Sequence, residues 1–116
     1  MSSSSPPNPA LAELLSVIGP ANTREIVRTF LHEAPLLVGA LTASNRSDRH
    51  RAAHSLKSSA RLIGADTVAA HAARLEARLA KPTGEISSAD LSALAEDLAT
   101  SSTVLAEFAR SPVPVA

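Results

Sequence analysis

AHSLKSSARLIGA, residues 53–65, is the stretch on which the reading of this chain turns. Around it, Ala52, Leu56, Ala60 and Ile63 recur at spacings of four, four and three, flanked by Ala53 and Ser59. That spacing places them on one stripe of a helix, facing a core. His54 is off the stripe: at about 100° per residue it lies roughly 200° around from Leu56. Lys57, Ser58 and Arg61, at three, four and seven residues from His54, share its face. The helix therefore has an aliphatic face for burial, and an opposite face that offers an imidazole to solvent beside a cation and small residues. A core histidine would lie on the Leu56 stripe.

Working outward, the same helical spacing continues on both sides. Asn45 or Ser47 can cap the motif helix, and Gly64 ends it. Upstream, Asn8 with Pro9 predicts the start of a short helix ended by Gly19-Pro20. Asn22 followed by Glu25 gives a capping-box-like start to the next helix. There Ile26, Phe30, Leu31, Ala34, Leu37 and Leu41 form an apolar stripe. Pro35 lies inside it and predicts a kink; one kinked helix is preferred to two because the stripe runs through. Downstream, Asp66 is the expected cap of a helix with Val68, Ala72, Leu75 and Leu79 on one face. KPTGE interrupts the chain, and Ser87 with Asp90 starts a last helix carrying Leu91, Leu94, Leu98, Leu105 and Phe108. No segment alternates as a half-buried strand does. Short loops imply antiparallel neighbours, so the expected fold is all-α: an antiparallel up-down four-helix bundle over residues 22–110, with a short extra N-terminal helix on one end. The domain spans 9–110, and the Ser/Pro-rich 1–8 and SPVPVA at 111–116 read as disordered tails.

Bulk properties narrow the function classes. The chain of 116 residues has 11 basic and 11 acidic residues and no net charge, which gives no support for nucleic-acid binding. Its only aromatics are Phe30 and Phe108, so it has no base-stacking platform. It has no cysteine, hence no disulfide or thiol chemistry. No stretch approaches the ~20 apolar residues of a membrane span, and MSSSSPPNPA lacks the regions of a signal peptide. A cytoplasmic location is the expectation. Charge is unevenly spread: Arg46, Arg49, Arg51, Lys57, Arg61, Arg74, Arg78 and Lys81 cluster mid-chain against Asp48, Asp66 and Glu76, whereas Glu85, Asp90, Glu96, Asp97 and Glu107 follow. The basic segment is either an ordinary solvated face or a docking surface for an acidic partner.

A neutral imidazole is a good nucleophile near neutral pH. A lysine one turn away can stabilise the charge on a phosphoryl group under attack. With these residues in place, AHSLKSSARLIGA and the ARLE at 73–76 resemble the histidine phosphotransfer (Hpt) domains of multistep two-component signalling. His54, Leu56, Lys57, Ser59, Ala60 and Gly64 match the family motif, and the likeness extends over 22–110. The resemblance implies a phosphorelay intermediate without kinase activity of its own. His54 would accept a phosphoryl group on Nε2 from a receiver-domain aspartate and pass it to another receiver, and Lys57 would steady the phosphoryl oxygens. By position Glu76 would orient the ring through its other nitrogen, and Ser58 and Arg61 would face the docked receiver. The implied partners are response-regulator receiver domains and a hybrid histidine kinase. No cofactor is bound by this chain; Mg²⁺ belongs to the receiver, and a monomer suffices. One position departs from the family: Ser58 stands where glycine is usual, which bears on receiver clearance.

Two other readings are compatible with the residues. A bundle that binds receivers without phosphotransfer would have the same composition, although the presence of both His54 and Lys57 argues against it. A metal site would use His50 and His54, one turn apart, with His71 or Glu76; the sequence has no HExxH pattern, and the basic surroundings oppose a dication. His32 has no evident partner. A complete kinase is excluded, because the chain has no glycine-rich nucleotide loop and no room for an ATP-binding domain.

Overall fold

The structure, a computed structural model, describes residues 6–43 and 45–110; of the tails expected at 1–8 and 111–116, residues 1–5 and all of 111–116 lie outside the described residues. Among the described residues four helices account for the fold: α1 (Pro9–Ala40), α2 (Arg46–Ile63), α3 (Asp66–Leu79) and α4 (Ser88–Arg110). No strand occurs among the described residues. Each helix packs on its chain neighbour and α1 packs on α4, which closes the ring of an all-α four-helix bundle. The α2–α3 pair is the most intimate, and α3–α4 the thinnest.

The core follows the helical stripes on α2 and α3 and departs from them in part on α1 and α4. Phe30, Ala34 and Leu41, the last being the C-cap of α1, are buried as expected. Val27 is buried before them, and Ile26, Leu31, Leu37 and Leu91 are half-buried at the edge. The buried α1 residues pack with Ala52, Leu56, Ala60 and Ile63 of α2 in the core. Val68, Ala72, Leu75 and Leu79 of α3 and Leu94, Leu98, Leu105 and Phe108 of α4 complete it. Alanines at Ala52, Ala53, Ala60, Ala69 and Ala72 are all buried, and small side chains there allow α2 and α3 to approach closely.

The N-terminal helix is joined to the next with a kink rather than a loop. Gly19 alone inside α1 leaves helical geometry, with φ 86° and ψ 167°, a conformation that favours glycine. The helix resumes at once, so Asn22 does not cap it: the Asn22 side chain donates to the Ile18 carbonyl, and Thr23 Oγ1 donates to that of Gly19. Pro35 lies within one continuous helix, as the unbroken stripe predicts, and the residue that leaves helical angles is Gly19. The start of Pro9–Ile18 sits beside the α2–α3 turn, where Asn8 and Pro7 lie near Gly64 and Ala65, and Leu11 is fully buried. Asn8 caps this helix as expected from Asn8-Pro9, although it also falls in the stretch read as a tail: its Oδ1 accepts from the Leu11 amide at 2.9 Å, and its Nδ2 donates to the Ile63 carbonyl at 2.9 Å.

The turns that set the register of the motif helix follow local chemistry. Asn45 caps α2, accepting from the amides of Ser47 and Asp48. Gly64 ends it in the left-handed region at φ 78°, and the Ala65 amide bonds back to the Ala60 carbonyl at 2.9 Å. Asp66 does not cap α3. The N-cap is Ala65, with no side-chain bond, and Asp66 is the first helical residue, where its charge favours the helix N-terminus. At the far end Arg46 donates to the carbonyls of Leu79, Lys81 and Gly84, tying the start of α2 to the loop after α3. Ser87 and Asp90 form the expected reciprocal cap of α4, Asp90 Oδ2 accepting from the Ser87 amide and Ser87 Oγ from the Asp90 amide.

Candidate functional site

The tight α2–α3 packing brings one face of α2 beside one face of α3 halfway along the bundle. The His54 ring stands out from α2 with its side chain 58% exposed, while Ala53 and Leu56 on the opposite face are fully buried. Across the seam, Glu76 of α3 reaches back so that its Oε2 lies 2.7 Å from His54 Nδ1. Its other oxygen, Oε1, lies 2.5 Å from Lys57 Nζ. One carboxylate thus holds both the imidazole and the ammonium. Glu76 and Lys57 are only 16% and 19% exposed, so the pair is well shielded while the ring they flank is open.

The electrostatics assign the tautomer. The Lys57 ammonium, hydrogen-bonded to Glu76, holds that carboxyl below the ordinary carboxylate range against a smaller opposing effect of burial, and His54 adds to the lowering. Glu76 is therefore ionised at neutral pH and can only accept. Nδ1 of His54 must carry the proton it donates, and in the neutral form of the ring the lone pair is then on Nε2. An exposed imidazole with its free nitrogen outward and its other nitrogen anchored to a carboxylate is oriented for nucleophilic attack on a group brought by another molecule.

The remaining sequence-derived positions fall as follows. Ser58 and Arg61 are exposed on α2, one and two turns beyond His54. Lys57 does not extend into solvent beside the ring as a free cation; it folds across the seam onto Glu76. His50 is half-buried one turn before His54. His71 faces α4, with Nδ1 2.6 Å from Asp97 Oδ2. His32 is exposed on α1. Among the described residues no group of three or more His, Asp or Glu side chains could hold a metal ion. On the other flank of α2, a groove of about 440 Å³ runs along α1, with Ile26, Phe30, Leu62 and Ile63 in its lining and Glu25 and Glu33 on its α1 side. Sequence reasoning named every residue of the His54 cluster but not the sharing of Glu76, which depends on the register between two helices. It did not identify the α1–α2 groove, whose one sequence signal is Leu62, an apolar residue off the buried stripe and 50% exposed.

A sequence model of the Hpt domain matches residues 25–104, well over half of the chain. The chain belongs to the Hpt domain family. The match takes in α2 and α3 whole, with His54, Lys57 and Glu76, and it begins after the Gly19 kink, so the Pro9–Ile18 segment lies outside the matched region. No curated protein and no solved structure matches the chain significantly. Hpt domains are phosphocarrier modules of two-component phosphorelays, working with receiver domains and kinases, and histidine phosphotransfer is accordingly the activity class of this one. No helix among the described residues is long and apolar enough to cross a membrane.

Proposed function

We propose that His54 is the phosphoacceptor and that the protein relays a phosphoryl group between two receiver domains. In the loading step the Nε2 lone pair of His54 attacks the phosphorus of a receiver's aspartyl phosphate. The N–P bond forms in line as the P–O bond to the aspartate breaks, and the bonding pair returns to the carboxylate. In the unloading step a second receiver's aspartate attacks the same phosphorus, and the pair of the N–P bond returns to Nε2. Lys57 swings from Glu76 to the phosphoryl oxygens as charge gathers there. Glu76 keeps its hold on Nδ1–H throughout, which fixes the ring and offsets the positive charge that develops on it. Mg²⁺ is supplied by the receiver, no cofactor is held by this chain, and the protein acts as a cytoplasmic monomer that meets its receivers in turn. Ser58 and Arg61 lie where a docked receiver would cover them.

The observation that carries this reading is the exposed His54 ring bound through Nδ1 to Glu76, with Nε2 left as its nucleophile. Incubation with a receiver phosphorylated at its aspartate tests it. Label is expected to move to this protein as an acid-labile, base-stable adduct, and His54→Gln is expected to abolish the transfer. Undiminished labelling of that variant would remove His54 from the role.

A further inference from the structure

The shared carboxylate has a consequence for the loaded state. Once Nε2 carries phosphorus and Nδ1 keeps its proton, the ring is an imidazolium. When the N–P bond breaks, that ring departs as neutral imidazole. If Nδ1 has lost its proton, the same cleavage must expel an imidazolate, a far poorer leaving group. The protonation of Nδ1 therefore decides whether the phosphoryl group is ready to leave or held fast. In this structure Nδ1 lies 2.7 Å from an ionised carboxylate, and a carboxylate at that distance favours the charged ring.

We infer that Glu76, hydrogen-bonded to His54 Nδ1, keeps the phosphorylated imidazole protonated, so that this protein carries its phosphoryl group primed to leave rather than stored. The inference rests on the phosphocarrier reading and concerns the regulation of the same site. Two groups bear directly on the ring. Glu76 from α3 favours its proton. Lys57 from its own helix opposes it, both as a nearby cation and as a competitor for the same carboxylate. His50 and Arg61, one and two turns away on α2, share the flank. From α1, packed on the other side of α2, Glu33 and Glu25 line the α1–α2 groove, with Glu25 paired to Arg28. When Lys57 moves to the phosphoryl oxygens, Glu76 is left to the ring alone. The same motion that steadies the phosphoryl group therefore strengthens the hold on the proton that lets it go.

The test needs no receiver. The protein is phosphorylated with phosphoramidate, the reagent is removed, and phosphate release is followed from about pH 5 to about pH 9, the range in which imidazoles titrate. In release, water attacks phosphorus, the N–P pair returns to Nε2, and the products are phosphate and neutral His54. The rate is expected to fall with rising pH as Nδ1 loses its proton. In Glu76→Gln, which keeps shape and hydrogen bonding but not charge, that fall is expected at lower pH. Release near neutrality is then slower by about tenfold for each unit of displacement. In Lys57→Met the fall is expected at higher pH, an opposite displacement that a general loosening of the fold would not produce. His54→Gln provides the blank. Superimposable profiles for wild type and Glu76→Gln, or a Glu76→Gln profile displaced to higher pH, would overturn the inference and leave the phosphocarrier reading standing. A wild-type His54 that takes up no phosphoryl group from phosphoramidate or from a phosphorylated receiver would overturn both.

Discussion

Helix α3 takes part in two histidine–carboxylate pairs, one on each flank, and they differ in instructive ways. On the α2 side it supplies the carboxylate: Glu76 meets His54 at 2.7 Å. On the α4 side it supplies the imidazole: His71 meets Asp97 at 2.6 Å. By distance alone the pairs are equivalent. Their surroundings are not. The His54 side chain is 58% exposed and that of His71 is 22% exposed. Glu76 also holds Lys57, whereas among the described residues the Asp97 carboxylate has no ion pair with a lysine or arginine. The His71 contact is short but misaligned, and His71 Nδ1 is buried without a properly directed hydrogen bond. With His54 as the proposed phosphoacceptor, what separates the two imidazoles is the exposure of the ring and a cation beside the shared carboxylate. The His71–Asp97 pair, with Arg78–Asp90 two turns along, instead bridges the thinnest helix seam of the bundle.

The sharpest way to break the contrast is to remove each ring in turn. His54→Gln is expected to abolish transfer from a phosphorylated receiver, and His71→Gln to leave it intact, as read by label on the protein. The His71 change should cost at most about 1 kcal/mol of stability in denaturant titration, as is usual for partly exposed pairs. Next in size is Lys57→Ala. It is expected to slow transfer by up to about a hundredfold through loss of charge stabilisation, with helicity and melting nearly unchanged. A collapse in melting temperature would make Lys57 structural and erase the difference between the two pairs.

A smaller effect, on stability alone, is expected from Gly64→Ala. The residue adopts φ 78°, and an added Cβ would fall 2.2 Å from Asn8 Oδ1, so both backbone strain and the displaced Asn8 latch contribute. About 1–3 kcal/mol in denaturant unfolding is the expected cost. Smallest is the acid response of the α3–α4 seam. Hydrogen bonds from the Ser87 amide and hydroxyl and from Arg78 hold the Asp90 carboxyl below its ordinary range. A lowered carboxylate contributes stability that is present above its unfolded value and lost as pH falls through its folded one. Stability measured from neutrality down to about pH 3 is expected to fall less steeply in Asp90→Asn than in wild type.

The contrast also shows how much the sequence conveys. Leu56, Ala60 and Ile63 define a core stripe by spacing alone, and the opposite face of the same helix places His54 outside; both features are local and periodic. Asn45, Gly64 and the Ser87–Asp90 pair were legible for the same reason, since caps are decided within four residues. The Asp66 cap failed because the tight Gly64 turn brings α3 on at once, making Asp66 the first helical residue and leaving the cap to Ala65. Asn22 failed in a similar way, because the helix resumes directly after a single glycine kink. What periodicity does not contain is the register between helices. Lys57 shares the His54 face by spacing, but its turn onto Glu76 depends on α3 being placed by the Gly64–Ala65 corner and by Arg46 at the far end. The His71–Asp97 and Arg78–Asp90 bridges depend on register as well, which is why Asp97 read in sequence only as surface charge and Asp90 only as a local cap.

The most direct test of the central claim is to locate the phosphorus. Phosphorus–nitrogen coupling in the NMR spectrum of the ¹⁵N-labelled, phosphorylated protein identifies the bonded nitrogen. Phosphorus on Nε2 of His54, with the Nδ1 proton still present and His71 unmodified, is the expected result. Phosphorus on Nδ1 of His54, or on His71, would contradict the account.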